Sequence, residues 1–286
     1  MDISFDNVSY TYQPNTPLEH QALREVSFTI QSGSFVCIAG HTGSGKSTLV
    51  QLINGLLRPT EGKVKVGDFS LTSNKNHSVK DLRKNVGIVF QYPEHQLFEE
   101  TVKEDILFGP RNFGVTVSDE QLHQVIEHVG LEPSILEKSP FEISGGQKRR
   151  VAIASVLVLE PKVLILDEPT AGLDPTGEQQ IMKLFQRLHR EKDMTIMMIT
   201  HDMEHALNYA NHMLVFEQGR LMLEGNPTNL FSNGDYLETI GLGLPEAIKL
   251  INEVKRLAGL NISYDRHSIE DIAVQLSNWA KAGGGQ

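Results

Sequence analysis

The chain has 286 residues, of which 40% are hydrophobic and 22% charged, an ordinary composition for a globular protein with a substantial core. Its 26 basic and 36 acidic residues give a formal net charge of −10, so we expect no broad electrostatic binding to nucleic acid. There is neither a signal-peptide pattern at the start nor an apolar run of roughly 20 residues, so any role at a membrane must come from docking onto a partner.

The first 39 residues predict a layer of strands followed by a buried strand. Apolar and polar residues alternate around Val26, Phe28 and Ile30, and this period of two is typical of half-buried strands in an antiparallel layer. Residues 35–39 form a continuous apolar run. It contains the only cysteine, Cys37, which excludes an intramolecular disulfide, suits a reducing cytoplasm and is expected to pack in the core.

The middle of the chain predicts an α/β core. Apolar runs at 86–90, 163–166 and 195–200 predict further strands, and the last two are continuous, as in parallel strands covered on both faces. Strands that alternate with helices indicate an α/β fold. From about 92 to 150 the pattern becomes helical, which predicts a helical subdomain inserted in the core. Residues 213–224 predict a hairpin.

The end of the chain predicts a small helical appendage. We divide the chain into a main domain, 1–230, and a C-terminal helical region, 231–286. One amphipathic helix is expected to begin at Pro245, with a stripe that includes Ala247, Ile251 and Leu257, and a second near Ser268. Their apolar faces could pack on the parent domain or on a second subunit, and the pattern alone leaves both possibilities open.

Residues 40–47, with the sequence GHTGSGKS, match the phosphate-binding pattern G-x-x-x-x-G-K-[ST]. Glycines let the main chain curl so that its N–H groups face phosphate, Lys46 supplies a positive charge, and the Ser47 hydroxyl can ligate Mg²⁺. The predicted phosphate-binding residues are Gly40, His41, Thr42, Gly43, Ser44, Gly45, Lys46, Ser47 and Thr48.

Polar side chains follow three of the predicted core strands. Asp167 and Glu168 end one strand, Gln91 follows another, and His201 follows a third. Ligands of α/β folds bind at the carboxyl ends of the strands, so these residues are expected to face one crevice. Asp167 would hold the Mg²⁺ shell and Glu168 would polarise an attacking water. Gln91 could sense the metal or the terminal phosphate, and His201 could contact the terminal phosphate and orient the water. Singly, either of the last two could be an ordinary surface residue.

Residues 143–150, with the sequence ISGGQKRR, predict an anion site at a helix start. A serine hydroxyl and successive glycine amides at a helix N-terminus present unpaired N–H groups and the positive end of the helix dipole. The four residues concerned are Ser144, Gly145, Gly146 and Gln147. Alone, this stretch could be a glycine turn before a helix. Asp174 lies in a Gly-Leu-Asp turn, and this turn taken alone is equally weak evidence for a nucleotide site.

The order and spacing of these motifs resemble the nucleotide-binding domain of ATP-binding-cassette (ABC) proteins over about residues 1–230. The resemblance implies an α/β P-loop NTPase core, with a mixed sheet and an antiparallel β layer, that hydrolyses ATP with Mg²⁺. It implies Gln91 as Q-loop, Asp174 as D-loop and His201 as switch histidine. Tyr12 matches the aromatic that stacks on adenine, with Tyr10 as the competing choice.

In that family the signature closes over ATP held by a second cassette, so the resemblance implies that residues 144–147 serve a partner's site. Ile143 stands where the signature usually has Leu, a conservative departure.

A narrower resemblance rests on residues 91–102, QYPEHQLFEETV, and 105–114, DILFGPRNFG. These are similar to ATPase subunits of energy-coupling factor (ECF) transporters, closest to the second of the two paralogous types. The resemblance implies three partners at the cytoplasmic face of the cell membrane: a second, paralogous ATPase, a membrane scaffold with coupling helices, and a substrate-binding membrane component. It implies import of vitamins or transition-metal ions, and a C-terminal region that dimerises.

Two other functions are compatible with the cassette motifs. One is an ordinary ABC importer ATPase, including one dedicated to cobalt or nickel; residues 91–102 and the C-terminal helices disfavour it. The other is a soluble ABC protein of translation or DNA repair. Such proteins usually carry tandem cassettes or a long coiled coil, which this sequence lacks, and its acidic charge also disfavours that function.

Overall fold

Two β-sheets form the core of the protein. The structure is a computed structural model, and it describes residues 1–74, 78–232, 235–258 and the single positions 273, 274 and 277. In chain order the strands are β1 (Ile3–Tyr12), β2 (His20–Ile30), β3 (Phe35–Ala39), β4 (Glu61–Val66), β5 (Phe69–Leu71), β6 (Val86–Val89), β7 (Val163–Asp167), β8 (Thr195–Ile199), β9 (His212–Glu217) and β10 (Arg220–Gly225). The α-helices are α1 (Lys46–Ile53), α2 (Lys80–Asn85), α3 (Val102–Phe113), α4 (Asp119–His128), α5 (Gly145–Leu157), α6 (Pro175–Lys192), α7 (Met203–Tyr209), α8 (Pro227–Ser232), α9 (Asp235–Thr239) and α10 (Glu246–Ala258).

The smaller sheet is the antiparallel layer that the alternating pattern predicts. Its strand order is β2-β1-β4-β5, and Ile3 pairs with Ile30 while Phe5 pairs with Phe28. Val26, Phe28 and Ile30 of β2 are buried, as period-two alternation requires. The rings of Phe5 and Phe28 stack with centroids 4.6 Å apart, which fixes the register of the two strands.

The larger sheet is mixed, with the order β10-β9-β3-β8-β7-β6. Neighbouring strands from β9 to β6 run parallel, and β10 returns antiparallel to β9 as the predicted hairpin. All residues of β3 and β8 are buried, because helices and the antiparallel sheet cover both faces. The carboxyl ends of the parallel strands therefore meet at one edge, and the loops that leave this edge carry the candidate site.

Helices of the segment between β6 and β7 begin at side-chain caps. Thr101, Ser118 and Ser144 accept hydrogen bonds from main-chain N–H groups in the first turns of α3, α4 and α5. α5 packs against α3 and runs beyond residue 150 to Leu157. Among the described residues, no helix is both long and apolar enough to cross a bilayer.

The C-terminal segment packs on the main core through its first half. Leu237, Leu242 and Ile248 belong to the same buried cluster as the core strands. α10 begins directly after Pro245, where the sequence predicts a helix, but Leu257 of the predicted stripe is 71% exposed. The second predicted helix, from Ser268, lies outside the described residues except for three positions. The division at residue 230 remains a prediction.

Candidate active site

The loop between β3 and α1 is held by its own lysine and by glycines. Lys46 Nζ donates hydrogen bonds to the main-chain oxygens of Gly40 and His41, at 2.6 and 2.8 Å. Gly40 and Gly45 have φ angles of 146° and 102°, and a Cβ on either would lie 2.2 or 2.6 Å from a main-chain carbonyl oxygen of a neighbouring segment. Only glycine fits at both positions, so the tight curl of the loop depends on them, and Lys46 supplies a positive charge beside it.

Charges of both signs meet beside this loop. Burial lowers the pKa of Lys46, while the carboxylates of Glu168 and Asp167 oppose that shift. Burial raises the pKa of Asp167, the charge of Glu168 adds to the rise, and Lys46 opposes it. The sheet edge thus gathers one lysine and two carboxylates whose charges act on one another, as the sequence predicts for these three residues.

Glu168 is held in an unusual main-chain conformation. Its φ angle is 48°, in the left-handed region, and its N–H donates to the oxygen of Ile199 at 3.0 Å. Eight other described non-glycine residues also have a positive φ, so this conformation does not by itself mark a functional site. His201 Nδ1 donates to Glu168 Oε1 at 2.9 Å, because an ionised carboxylate can only accept. The Glu168 side chain is 20% exposed and that of His201 is 82% exposed, so solvent reaches the pair.

Tyr12 lies at the other end of the phosphate loop. Its hydroxyl is 3.2 Å from Thr48 Oγ1 on the first turn of α1. Tyr10 meets the Tyr12 ring edge-on, with centroids 4.7 Å apart, and packs against the core cluster between the two sheets. Of the two candidate tyrosines, Tyr12 is therefore the one that contacts the loop.

Among the described residues, no hydrogen bond or ion pair joins Gln91 or Asp174 to Lys46, Asp167 or Glu168, so their roles in the site remain predictions. Gln91 is exposed and follows Phe90 at the carboxyl end of β6. The Asp174 carboxylate accepts from Gly177 N at 2.9 Å and caps α6. This cap gives Asp174 a structural role in addition to the one implied by the resemblance.

The signature residues form the exposed start of α5. Ser144 Oγ accepts from Gln147 N at 3.3 Å, and Ser144 N donates to Gln147 Oε1 at 3.0 Å, which is a capping box. Apart from the helix itself, no described residue lies within 4 Å of a Cβ built on Gly145 or Gly146, and neither glycine has a positive φ. Packing within the part of the chain that the structure describes therefore gives no reason for glycine at these two positions.

α4 provides an internal comparison for this glycine pair. It begins with the same capping box, formed by Ser118 and Gln121, but carries Asp119 and Glu120 where α5 carries its glycines. The capping box thus tolerates side chains at both intervening positions. The capping box of α5 therefore does not by itself require glycine at positions 145 and 146.

Arg149 links three segments of the site, a role that the sequence did not reveal. Its side chain is 3% exposed and forms a two-point ion pair with Glu94, with Nε–Oε2 at 3.0 Å and Nη2–Oε1 at 3.2 Å. Nη2 also donates to the oxygen of Ala171 at 3.0 Å. Arg149 therefore joins α5, the turn after Gln91, and the loop that leads to Asp174.

Replacing Arg149 by Met should lower the free energy of unfolding by about 2 kcal/mol, because it leaves Glu94, which is 19% exposed, without its partner. Urea unfolding of the full chain measures the change. Lys148→Met is the matched control. Lys148 is half-buried and its Nζ lies 5.8 Å from the centroid of the Phe141 ring, so its loss should cost less than about 1 kcal/mol. Equal effects of the two substitutions would contradict the linking role.

Comparisons with known proteins agree with this geometry. The profile described as "ABC transporter" matches residues 23–171. The chain belongs to the ABC transporter family. The energy-coupling factor transporter ATP-binding protein EcfA2 of Bacillus cereus is 48% identical, over 99% of this chain and 98% of its own length. EcfA2 of Geobacillus kaustophilus is 50% identical, over 96% and 95%. The predicted resemblance to ECF ATPases is confirmed.

Solved structures of ABC cassettes share the fold. CbiO1 of Clostridium perfringens, described as part of the ABC transporter complex cbiONQ, has a TM-score of 0.72 and 36% identity, covering 87% of this chain and 98% of its own. A dimeric ATP-binding cassette in a post-hydrolysis state with ADP and phosphate has a TM-score of 0.69 and 28% identity, covering 79% and 98%. The α/β ABC fold and the ATPase activity predicted from the motifs are confirmed.

Proposed function

We propose that this ABC ATPase is one of two cassettes that power an ECF-type importer for vitamins or transition-metal ions. The observation that carries the proposal is the open helix start of α5. Among the described residues, nothing lies close to a Cβ built on Gly145 or Gly146, so the space above them suits an ATP molecule held by a second cassette. The identity to EcfA2 proteins over almost the whole length supports an ECF-type assembly rather than a generic importer or a soluble ABC protein.

The chain's own ATP would lie on the loop between β3 and α1. Lys46 would contact the terminal phosphates once ATP displaces its bonds to the main-chain oxygens of Gly40 and His41. Glu168 would take a proton from the attacking water, because its carboxylate is partly exposed and accepts only one identified hydrogen bond, from His201. His201, whose Nδ1 is occupied, would present Nε2 to the terminal phosphate.

The donors for Mg²⁺ are oxygens, the ligand type that this ion prefers. Ser47 on the exposed start of α1, Asp167 at the end of β7, and Gln91 after β6 supply a hydroxyl, a carboxylate and an amide oxygen. The carboxylate charges beside Lys46 fit a divalent cation at the same edge. When bound, Mg²⁺ would neutralise charge on the phosphates.

The membrane partners would be a scaffold with coupling helices and a substrate-binding component, both reached from the cytoplasmic face. Phe98 is 59% exposed and meets the ring of Phe108 edge-on, with centroids 5.0 Å apart. Leu97 beside it is half-buried against the core. An exposed aromatic pair a few residues after Gln91 suits the apolar side of a coupling helix.

Purification in mild detergent tests this assembly. The full chain should co-purify with a paralogous ATPase and two integral membrane proteins, and reconstituted vesicles should take up a vitamin or a transition-metal ion only with ATP. Recovery of the chain with no membrane protein, under conditions that preserve a known ECF complex, would refute the proposed assembly. The cassette's ATPase activity does not depend on that outcome.

Replacing Tyr12 by Ala should weaken ATP binding by about 10-fold, because a stacked aromatic ring contributes roughly 1–3 kcal/mol to holding a base. Tyr10→Ala is the matched control. Tyr10 packs on the core, so its loss should lower stability more than affinity. Titration of a fluorescent ATP analogue, paired with thermal unfolding of both variants, separates the two effects. A larger loss of affinity for Tyr10→Ala would transfer the adenine contact to that residue.

A further inference from the structure

The side chain of His41 leaves the phosphate loop and contacts the C-terminal segment. Its main-chain oxygen accepts from Ser44 N at 3.1 Å, so the residue belongs to the framework of the loop. The same oxygen accepts from Lys46 Nζ at 2.8 Å, in the bond that ATP would displace. Its Nε2 donates to the main-chain oxygen of Ile240, since a carbonyl can only accept. One residue thus bonds to the loop through its main chain and to the end of α9 through its side chain.

The end of α9 is shaped to receive this ring. Leu242 N donates to Leu237 O at 2.8 Å and Gly241 N to Glu238 O at 2.9 Å, the two bonds of a Schellman helix end. Gly241 has a φ of 69°, and a Cβ on it would lie 2.9 Å from His41 Cε1. Glycine at 241 therefore serves both the left-handed turn and the close approach of the imidazole.

A second anchor ties the same segment to the other side of the loop. Tyr236 Oη donates to Glu217 Oε2 at 3.2 Å, at the end of β9. Two residues further on, Gly219 N donates to Ser44 O at 3.1 Å. The hairpin turn therefore contacts both the phosphate loop and α9, and the contact through His41 does not stand alone.

The C-terminal segment also contacts α7, the helix that follows the switch histidine His201. Glu246 N, at the start of α10, donates to Glu204 Oε1 at 2.7 Å. Glu204 lies in the first turn of α7, three residues after His201. Between these two contacts the buried side chains of Leu242 and Leu244 hold the segment on the core. Residues 235–246 thus connect the phosphate loop to the helix that follows His201.

We propose that His41 is a positioning residue that joins the phosphate loop to residues 235–246, so that ATP binding and the placement of α10 are coupled. The inference rests on ATP binding at this loop, as proposed above. Because coupling is reciprocal, ATP should stabilise the contact, and the contact should strengthen ATP binding by holding the loop in one shape. α10, whose Leu257 faces solvent, would then change its placement with the nucleotide state.

Hydrogen exchange of the full chain with and without ATP tests the coupling. ATP should slow amide exchange in residues 236–244 of the unmodified protein. His41→Leu, which keeps side-chain bulk but has no donor, should abolish that slowing and weaken ATP binding about 2- to 10-fold. His41→Gln, which keeps an N–H donor of similar reach, should restore both. These results separate positioning from a merely structural role, for which thermal unfolding would change and the ATP-dependent slowing would not.

A substitution on the other side of the contact gives independent evidence. Gly241→Ala adds a methyl where the ring lies, so it should also weaken ATP binding, and its effect should not add to that of His41→Leu. Equal ATP-dependent slowing in the unmodified and His41→Leu proteins, or none in the unmodified protein despite ATP binding, would overturn the coupling alone. Failure of the unmodified chain to bind ATP would overturn the nucleotide site and the coupling together.

Discussion

Replacing Glu168 by Gln should reduce steady-state ATP hydrolysis by at least about 100-fold while leaving ATP binding close to normal. The amide has the size of the carboxylate, so the left-handed main chain at 168 and the contact with His201 can persist. An amide cannot take a proton from water. The two cassettes should therefore close over ATP and stay closed, which retained nucleotide in the assembled complex would show alongside the loss of phosphate release.

Glu178→Gln is the matched control for that experiment. Glu178 also pairs with a histidine, at 2.7 Å from His205 Nε2, but this histidine is buried, with a side chain only 6% exposed. The second carboxylate–imidazole pair thus serves the packing of α6 on α7. Hydrolysis by Glu178→Gln should stay within about threefold of normal. A Glu168→Gln complex that hydrolyses ATP within tenfold of the unmodified complex would exclude Glu168 as the general base.

The strands and loops of the site could be predicted because their signals are local. The apolar run 35–39 is bounded by Ser34 and Gly40, and the structure places β3 over the same residues. The main-chain curvature of the phosphate loop requires glycine at fixed spacing, so the loop can be recognised from the spacing of its glycines in the sequence. The parallel order of β3, β8, β7 and β6 then brings Lys46 and Glu168 to one edge.

Contacts between distant segments could not be predicted in the same way. His41 and Ile240 are 199 residues apart, and Arg149 and Glu94 are 55 apart. Each pair joins a side chain to a group whose position depends on the complete fold. No periodic pattern in the sequence indicates which two residues will meet. The exposure of Leu257 has a related cause. An amphipathic pattern shows which face of a helix is apolar, but it does not show how far along the helix the rest of the protein covers that face. In α10, fully buried side chains stop after Ile251.

Replacing Gly146 by Leu should lower hydrolysis in the assembled complex by about 100-fold without destabilising the chain. Leucine is the better helix former by roughly 0.5–1 kcal/mol, and a Cβ at this position meets open space. Thermal unfolding of the variant should therefore be unchanged or slightly higher. A substitution that improves the fold and removes the activity would indicate that the glycine serves a molecule outside the chain.

The decisive measurement is which subunit loses its nucleotide. We expect the Gly146→Leu chain itself to be labelled normally by a photoreactive ATP analogue, because the phosphate loop around Lys46 in that chain is intact. Labelling of the partner cassette should fall, because the altered α5 would complete the partner's ATP site. Glu120→Leu, at the same position of the capping box that opens α4, is the matched control and should change neither. If labelling of its own chain falls instead, the start of α5 acts within one cassette. In that case the open glycines of α5 would have to be explained by a contact other than a shared ATP.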